Sequence, residues 1–327
     1  ETRGYINPNS QLNVRGSGLE LMLSEALVDA GYRTAAVTEN GWVSAHFGFD
    51  QGFQVYRSAP AGSLPGTLSA TLGELEAVGE SGPWFLFVHT YAPHQPYHAP
   101  AEFRMKWAER EHVGFAWPAG RPPIEDYYRF NSEHFSVSLS DIEAFRDLYD
   151  GQAAWTDTLV GSLVSWLEER GLLEQTLIVV TSDHGEEIFE RGQFDHGDTL
   201  FEEVTHVPLV VSAPGLVPEG RVVEGPVSLI DLPATILDLV GQSDKHGQGH
   251  SLVPLWEEEE NGRSERVVFS LATGHGSEPL FAAWRGSFKL IRRETAEGTR
   301  EDCYDLRLDP DEARPLPASA CGGLRDL

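Results

Sequence analysis

The chain has 327 residues, of which 40% are hydrophobic and 10% aromatic, enough to bury a large core and too apolar for a disordered polymer. Against 51 Asp and Glu there are only 24 Lys and Arg, a formal net charge of −27. That balance argues against nucleic acid as a partner and against docking on anionic membranes. Cys303 and Cys321 allow one disulfide or none, and no apolar run is long enough to span a membrane. The chain opens on Glu1 rather than Met, so the lack of a visible signal peptide says nothing about location.

Residues 1–18 are rich in Asn, Gly and Ser and read as loop. Leu19, Leu23, Ala26, Leu27 and Ala30 repeat at helical spacing, with Gly31 placed to stop the helix. Arg33 to Thr38 then reads as a short parallel strand, completing half of a doubly wound unit. A second weak helix is expected near Leu68–Val78, and an apolar strand over Trp84–His89. That strand empties into Tyr91–Pro100, a proline-stiffened loop carrying His94 and His98. Residues 101–139 lack a clear period and read as an insertion. Ser140 and Glu143 suggest a capping box for a long helix that stops at Gly171, with Asp150 and Asp157 on its solvated side.

The chain's most telling stretch is Thr176 to Glu187. Leu177 to Thr181 form an uninterrupted apolar or β-branched run, the pattern of a strand buried on both faces of a parallel sheet. It stops at Asp183-His184-Gly185, where open α/β sheets bind their ligands. A loop-helix segment containing Asp195-His196-Gly197 is expected over Phe189–Glu203, a further buried strand over Val207–Ser212, and a helix over Ser228–Gly241 with Ile230, Leu232, Ile236 and Leu239 inward. From about residue 246, four short β-type runs separated by Gly, Glu and Asn suggest an antiparallel sheet.

Asp183, His184, His94 and His196 all fall at or just past the carboxyl ends of expected strands or in the loops that follow them. Hard divalent cations prefer carboxylate oxygen, while a neighbouring imidazole suits Zn²⁺, Mn²⁺ or a mixed site. Such a site polarises a phosphoryl or sulfuryl oxygen, and loop histidines can protonate a departing alkoxide.

These residues resemble the sulfatases of the alkaline-phosphatase-like superfamily. Gly31–Val37 followed by Gly48–Phe53 is similar to that family's early helix-strand-loop segment, and Phe87–Tyr97 to its Pro-His-x-Pro-Tyr loop. The most specific matches are Thr176–Glu186 and His196–Glu203 with Val207–Val211; Phe288–Ile291 and Cys303–Pro310 resemble its C-terminal sheet. The resemblance implies a three-layer α/β/α sandwich with a mostly parallel sheet over 1–245, and a small C-terminal antiparallel α+β subdomain over 246–327. It implies Asp183 and His184 as ligands of one divalent cation, Ca²⁺ first, with Mg²⁺ or Mn²⁺ as alternatives. His94 and His196 would contact the sulfate and its leaving group. The expected reaction is hydrolysis of a sulfate ester, carried by a small molecule or a carbohydrate, in a periplasmic or secreted protein. A phosphodiesterase, phosphonate hydrolase or phosphoethanolamine transferase of the same superfamily, and a non-catalytic binding relative, are the alternatives.

Two departures stand out. The Cys- or Ser-x-Pro-x-Arg motif, whose first residue becomes formylglycine, does not occur in 1–327. The resemblance therefore implies a formylglycine nucleophile upstream of residue 1 and an inactive isolated fragment. Glu39, in Thr38-Glu-Asn-Gly41, stands where arylsulfatases carry a lysine that clamps sulfate.

Overall fold

The computed structural model describes residues 22–60, 64–78, 82–97, 99–107, 138–242, 248–257, 266–273 and 279–325. His98, the Leu19 start of the first helix and most of the expected insertion lie outside the described residues. The chain divides into two compact units. One holds the described residues up to Arg170, and the other those from Gly171 onward apart from Gln242.

In the first unit, helix α1 (Leu23–Asp29) ends at Gly31, whose φ of 87° is the left-handed conformation that closes a helix at little cost to glycine. Strand β1 (Arg33–Thr38) follows and lies between β2 (Val55–Ser58) and β3 (Trp84–His89), parallel to both. Residues Thr34 to Thr38 are all buried, as the central position requires. Helix α2 (Leu64–Val78) sets Leu68 and Leu72 on Val37 and Ala59. Leu159, Leu163 and Trp166 of the long helix α4 (Leu139–Glu169) join the same cluster. A short helix α3 (Ala101–Trp107) opens the expected insertion, and its Phe103 carbonyl would lie 3.2 Å from a Cβ on Gly151 of α4.

The capping box of α4 is Ser138–Asp141, not Ser140–Glu143. The Asp141 amide donates to Ser138 Oγ at 3.2 Å, and the Ser138 amide donates to Asp141 Oδ2 at 3.0 Å. The Ser-x-x-acid spacing occurs twice, two residues apart, and the first copy caps the helix. Asp150 and Asp157 are exposed, as expected.

In the second unit, β4 (Ile178–Thr181) pairs with β7 (Leu209–Ser212) in antiparallel register, Val179 opposite Val211. The expected parallel strand buried on both faces is thus corrected: β4 is half-buried, and Val210 of its partner is 58% exposed. An apolar β-branched run reports strand propensity and says nothing of the neighbour's direction. The connection holds a two-stranded hairpin, β5 (Glu187–Ile188) and β6 (Phe194–Asp195), and the short helix α5 (Glu202–Thr205). The hairpin replaces the first half of the expected loop-helix segment.

Helix α6 (Asp231–Leu239) begins later than expected, and Ile230 is 54% exposed rather than inward. Its buried residues are Asp231, Ala234, Thr235 and Leu237. Asp231 accepts hydrogen bonds from the Ser228 and His250 amides and pairs with Arg266. After α7 (Val253–Glu257), strands β8 (Val267–Ala272), β9 (Leu280–Arg285), β10 (Phe288–Thr295) and β11 (Gly298–Asp305) form an antiparallel sheet in the order β11-β10-β9-β8. The expected C-terminal sheet is present, and with the parallel β2-β1-β3 sheet it makes the chain an α/β protein.

Cys303 of β11 and Cys321 are joined in a disulfide. Both are buried with Ala283, Leu290 and Leu324 of the terminal helix α8 (Gly322–Arg325). The bridge closes a loop of sequence separation 18. Loop-closure entropy for that span corresponds to about 3 kcal/mol. Cys303→Ser/Cys321→Ser is expected to lower stability by about that amount in urea unfolding, with unchanged far-UV circular dichroism. A loss below about 1 kcal/mol would mean that the packing of α8, not the covalent link, holds this edge.

Candidate functional site

The site of the second unit is built on the turn after β4. Ser182 Oγ donates to the His184 carbonyl at 2.7 Å, and the Gly185 amide donates to the Val204 carbonyl at 2.8 Å. These bonds press the turn against the start of α5. A Cβ on Gly185 would sit 2.1 Å from the Glu203 carbonyl oxygen, so only glycine fits there.

Asp183 extends into solvent, its side chain 66% exposed. His184 Nδ1 lies 2.8 Å from the Gly185 carbonyl, which can only accept, so Nδ1 carries the proton and Nε2 the lone pair. Asp183 Oδ1 and His184 Nε2 are 3.8 Å apart. A carboxylate oxygen and an imidazole nitrogen this close are donors that would suit a divalent cation.

His196 is brought to the same place by the β5–β6 hairpin. Its ring stacks on that of His184 with centroids 3.8 Å apart and planes 24° from parallel. His196 Nδ1 lies 3.0 Å from Asp195 Oδ1 and 3.1 Å from Glu186 Oε1. Burial disfavours charge on this imidazole, but the hydrogen bonds and charges of Asp195 and Glu186 outweigh it and push its pKa up to about 10. Among the described residues, Glu186, Asp195 and His196 have possible ligand atoms within 4.8 Å of one another. Neither carboxylate was expected as a partner of His196. The missed signal is Phe189-Glu-Arg-Gly-Gln-Phe194, two apolar residues flanking a turn at Gly192 (φ 80°), which folds residue 186 back towards 195–196. Next to them, burial pushes Glu187 up to about 7, against a hydrogen bond from Thr199 Oγ1 at 3.0 Å.

Asp183, His184 and His196 are therefore held together. His94 belongs to the other unit. Its Nδ1 lies 2.6 Å from the Gln95 carbonyl, which again assigns the proton to Nδ1, and its ring meets the Tyr91 ring edge-on at 5.6 Å. The loop before it is fastened from two sides. Gln152 donates to the Ala92 carbonyl, and Glu39 Oε2 accepts from Thr90 Oγ1 at 2.7 Å and from the Tyr91 amide at 2.8 Å. Glu39 thus ties the end of β1 to the turn after β3.

The sulfatase family model matches residues 9–242, and the model of the N-sulphoglucosamine sulphohydrolase C-terminal region matches residues 189–319. The chain is 26% identical over 268 residues to arylsulfatase K of Bos taurus, covering 74% of this chain and 49% of that protein. It is 29% identical over 252 residues to choline-sulfatase of Rhizobium meliloti, covering 73% and 47%. The chain thus spans about half the length of these curated relatives. Two solved structures share its fold, each with a TM-score of 0.68. One is a protein in complex with its substrate D-glucosamine-2-N,6-O-disulfate, at 19% identity and covering 95% of this chain and 81% of that one. The other is the phosphonate monoester hydrolase of Agrobacterium radiobacter, at 21% identity and covering 92% and 77%. With its model matched over most of the chain, the protein belongs to the sulfatase family.

Proposed function

We propose that the protein hydrolyses sulfate esters at the site formed by Asp183, His184 and His196, on sulfated carbohydrates or small molecules outside the cytoplasm. The observation that carries this reading is the convergence of a carboxylate, a lone-pair imidazole and a second, carboxylate-bound imidazole on one turn. Asp183 and His184 would hold one divalent cation, Ca²⁺ by the family pattern. Because Ca²⁺ takes about 6–8 oxygen ligands, these two residues would supply only part of its shell. Such an ion, when bound, polarises a sulfuryl oxygen.

His196, kept protonated by Glu186 and Asp195, supplies a positive charge and a proton donor for the sulfate oxygens and the departing alkoxide. His94 is proposed to contact sulfate on the strength of its Pro-His-x-Pro-Tyr motif alone. The nucleophile is proposed to be a formylglycine in the full-length protein, splitting the displacement into two covalent steps. The disulfide supports an oxidising compartment, periplasmic or secreted.

The test is turnover of sulfate esters by the full-length protein in the presence of Ca²⁺, with 4-nitrophenyl sulfate, glucosamine sulfates and choline sulfate as substrates and a phosphonate monoester as competitor. Sulfate release that falls on His196→Ala supports the reading. Hydrolysis of the phosphonate monoester with no sulfate release would overturn it in favour of phosphoryl chemistry.

A further inference from the structure

Two carboxylates meet His196 at one ring nitrogen. Strand register sets Glu187 opposite Asp195, so Glu186 and His196 face each other just beyond the ladder. Glu186 Oε1 and Asp195 Oδ1 both lie on Nδ1, at 3.1 and 3.0 Å, and Asp195 Oδ1 also accepts from the His196 amide at 2.9 Å. The Glu186 side chain is only 5% exposed. Asp195 adopts a φ of 91°, in the left-handed region that favours glycine and strains other residues. The hairpin sustains that conformation while bringing both carboxylates to one nitrogen. The His184 ring, stacked at 3.8 Å, sets the plane of the His196 ring.

We propose that Glu186 and Asp195 are positioning residues for the reaction: by binding Nδ1 they fix the rotation of the His196 ring and present Nε2 to the sulfate ester. This inference rests on the reading of His196 given above and assigns to two further residues the task of aiming it. A carboxylate on one imidazole nitrogen leaves the other as the reactive one, and a misaimed ring loses rate rather than affinity.

The experiment uses the full-length, Ca²⁺-loaded protein and compares Glu186→Leu, Glu186→Gln, Asp195→Asn and Asp195→Gly with His196→Ala. The amide oxygens of Gln and Asn still accept from Nδ1, and Asn tolerates the positive φ. Glu186→Leu is expected to lower kcat about 10- to 100-fold while KM moves less than about threefold. Each single amide variant should keep most of the activity, and bound calcium per protein should stay at the level of the unaltered enzyme. Should Glu186→Leu fail to fold, Asp195→Gly carries the test: it removes the other Nδ1 partner, suits the positive φ, and is expected to lower kcat about tenfold at constant KM and calcium content.

An unchanged kcat in Glu186→Leu, or in Asp195→Gly where Glu186→Leu does not fold, overturns the inference. So does loss of calcium in either, since that would make the carboxylates ligands rather than positioning groups. If His196→Ala itself leaves turnover intact, the fault lies in the reading of His196 and the proposal falls with it.

Discussion

Asp183→Ala in the full-length protein is expected to cost at least about 10³-fold in kcat/KM, together with loss of the bound cation. The chain's own geometry explains the size of the effect. On the proposed reading Asp183 Oδ1 and His184 Nε2, 3.8 Å apart, would both serve the ion, and the Gly185 carbonyl orients the imidazole through Nδ1. Removing the carboxylate leaves one neutral donor on an exposed turn, which holds a hard cation poorly. Asp183→Asn should fall between the two, because it keeps the shape and loses the charge. Inductively coupled plasma mass spectrometry and steady-state kinetics measure the two quantities on the same sample. Normal metal content and turnover in Asp183→Ala would remove this residue from the site.

A large loss of stability is expected from Lys289→Met. Lys289 is fully buried, with Nζ 2.9 Å from Glu202 Oε1 and 2.8 Å from Glu312 Oε1 and set over the Trp284 ring at 4.9 Å. Trp284 Nε1 donates to the same Glu202 oxygen at 3.1 Å, and Glu312 Oε2 accepts from the Glu202 amide at 2.7 Å. Arg191 extends the network from the β5–β6 turn, reaching Glu203 Oε1 at 3.0 Å and the Asp311 carbonyl at 2.6 Å. Burial raises the pKa of Glu312 and the Lys289 charge opposes that rise.

Deleting the ammonium strands a buried carboxylate, a change that costs about 3–5 kcal/mol against a typical net stability of about 5–15 kcal/mol. Lys289→Met/Glu312→Gln should recover part of the loss, since it removes the stranded charge as well. Urea unfolding of the two variants beside the unaltered protein gives the comparison. A loss below about 1 kcal/mol in Lys289→Met would show that solvent reaches the network and screens it.

Much of this architecture is written in local residue patterns. The apolar runs of β1 and β3 and the glycine stop of α1 translate directly into backbone, because burial and φ preference are local properties. The direction of β7 relative to β4 is not local, and an all-apolar run carries no trace of it. The same division holds in the site. Asp183, His184 and His196 were legible from their motifs, whereas Glu186 and Asp195 acquire their role only when a ten-residue segment closes on itself. Lys289 and Glu312 were least legible of all. In sequence one is a charge within a strand and the other a charge in a loop, and only the packed sheet makes them partners.

The turn at Gly185 also has a consequence for gene families. Any missense change there adds at least a Cβ, which must displace the Glu203 carbonyl and with it the start of α5. No rotamer relieves a clash with backbone, so the displacement is common to all 19 other amino acids. A duplicated gene that has drifted at this position therefore encodes a protein whose turn has been rebuilt. A missense change at that single codon marks a rebuilt turn already in genomic DNA, before any protein is made.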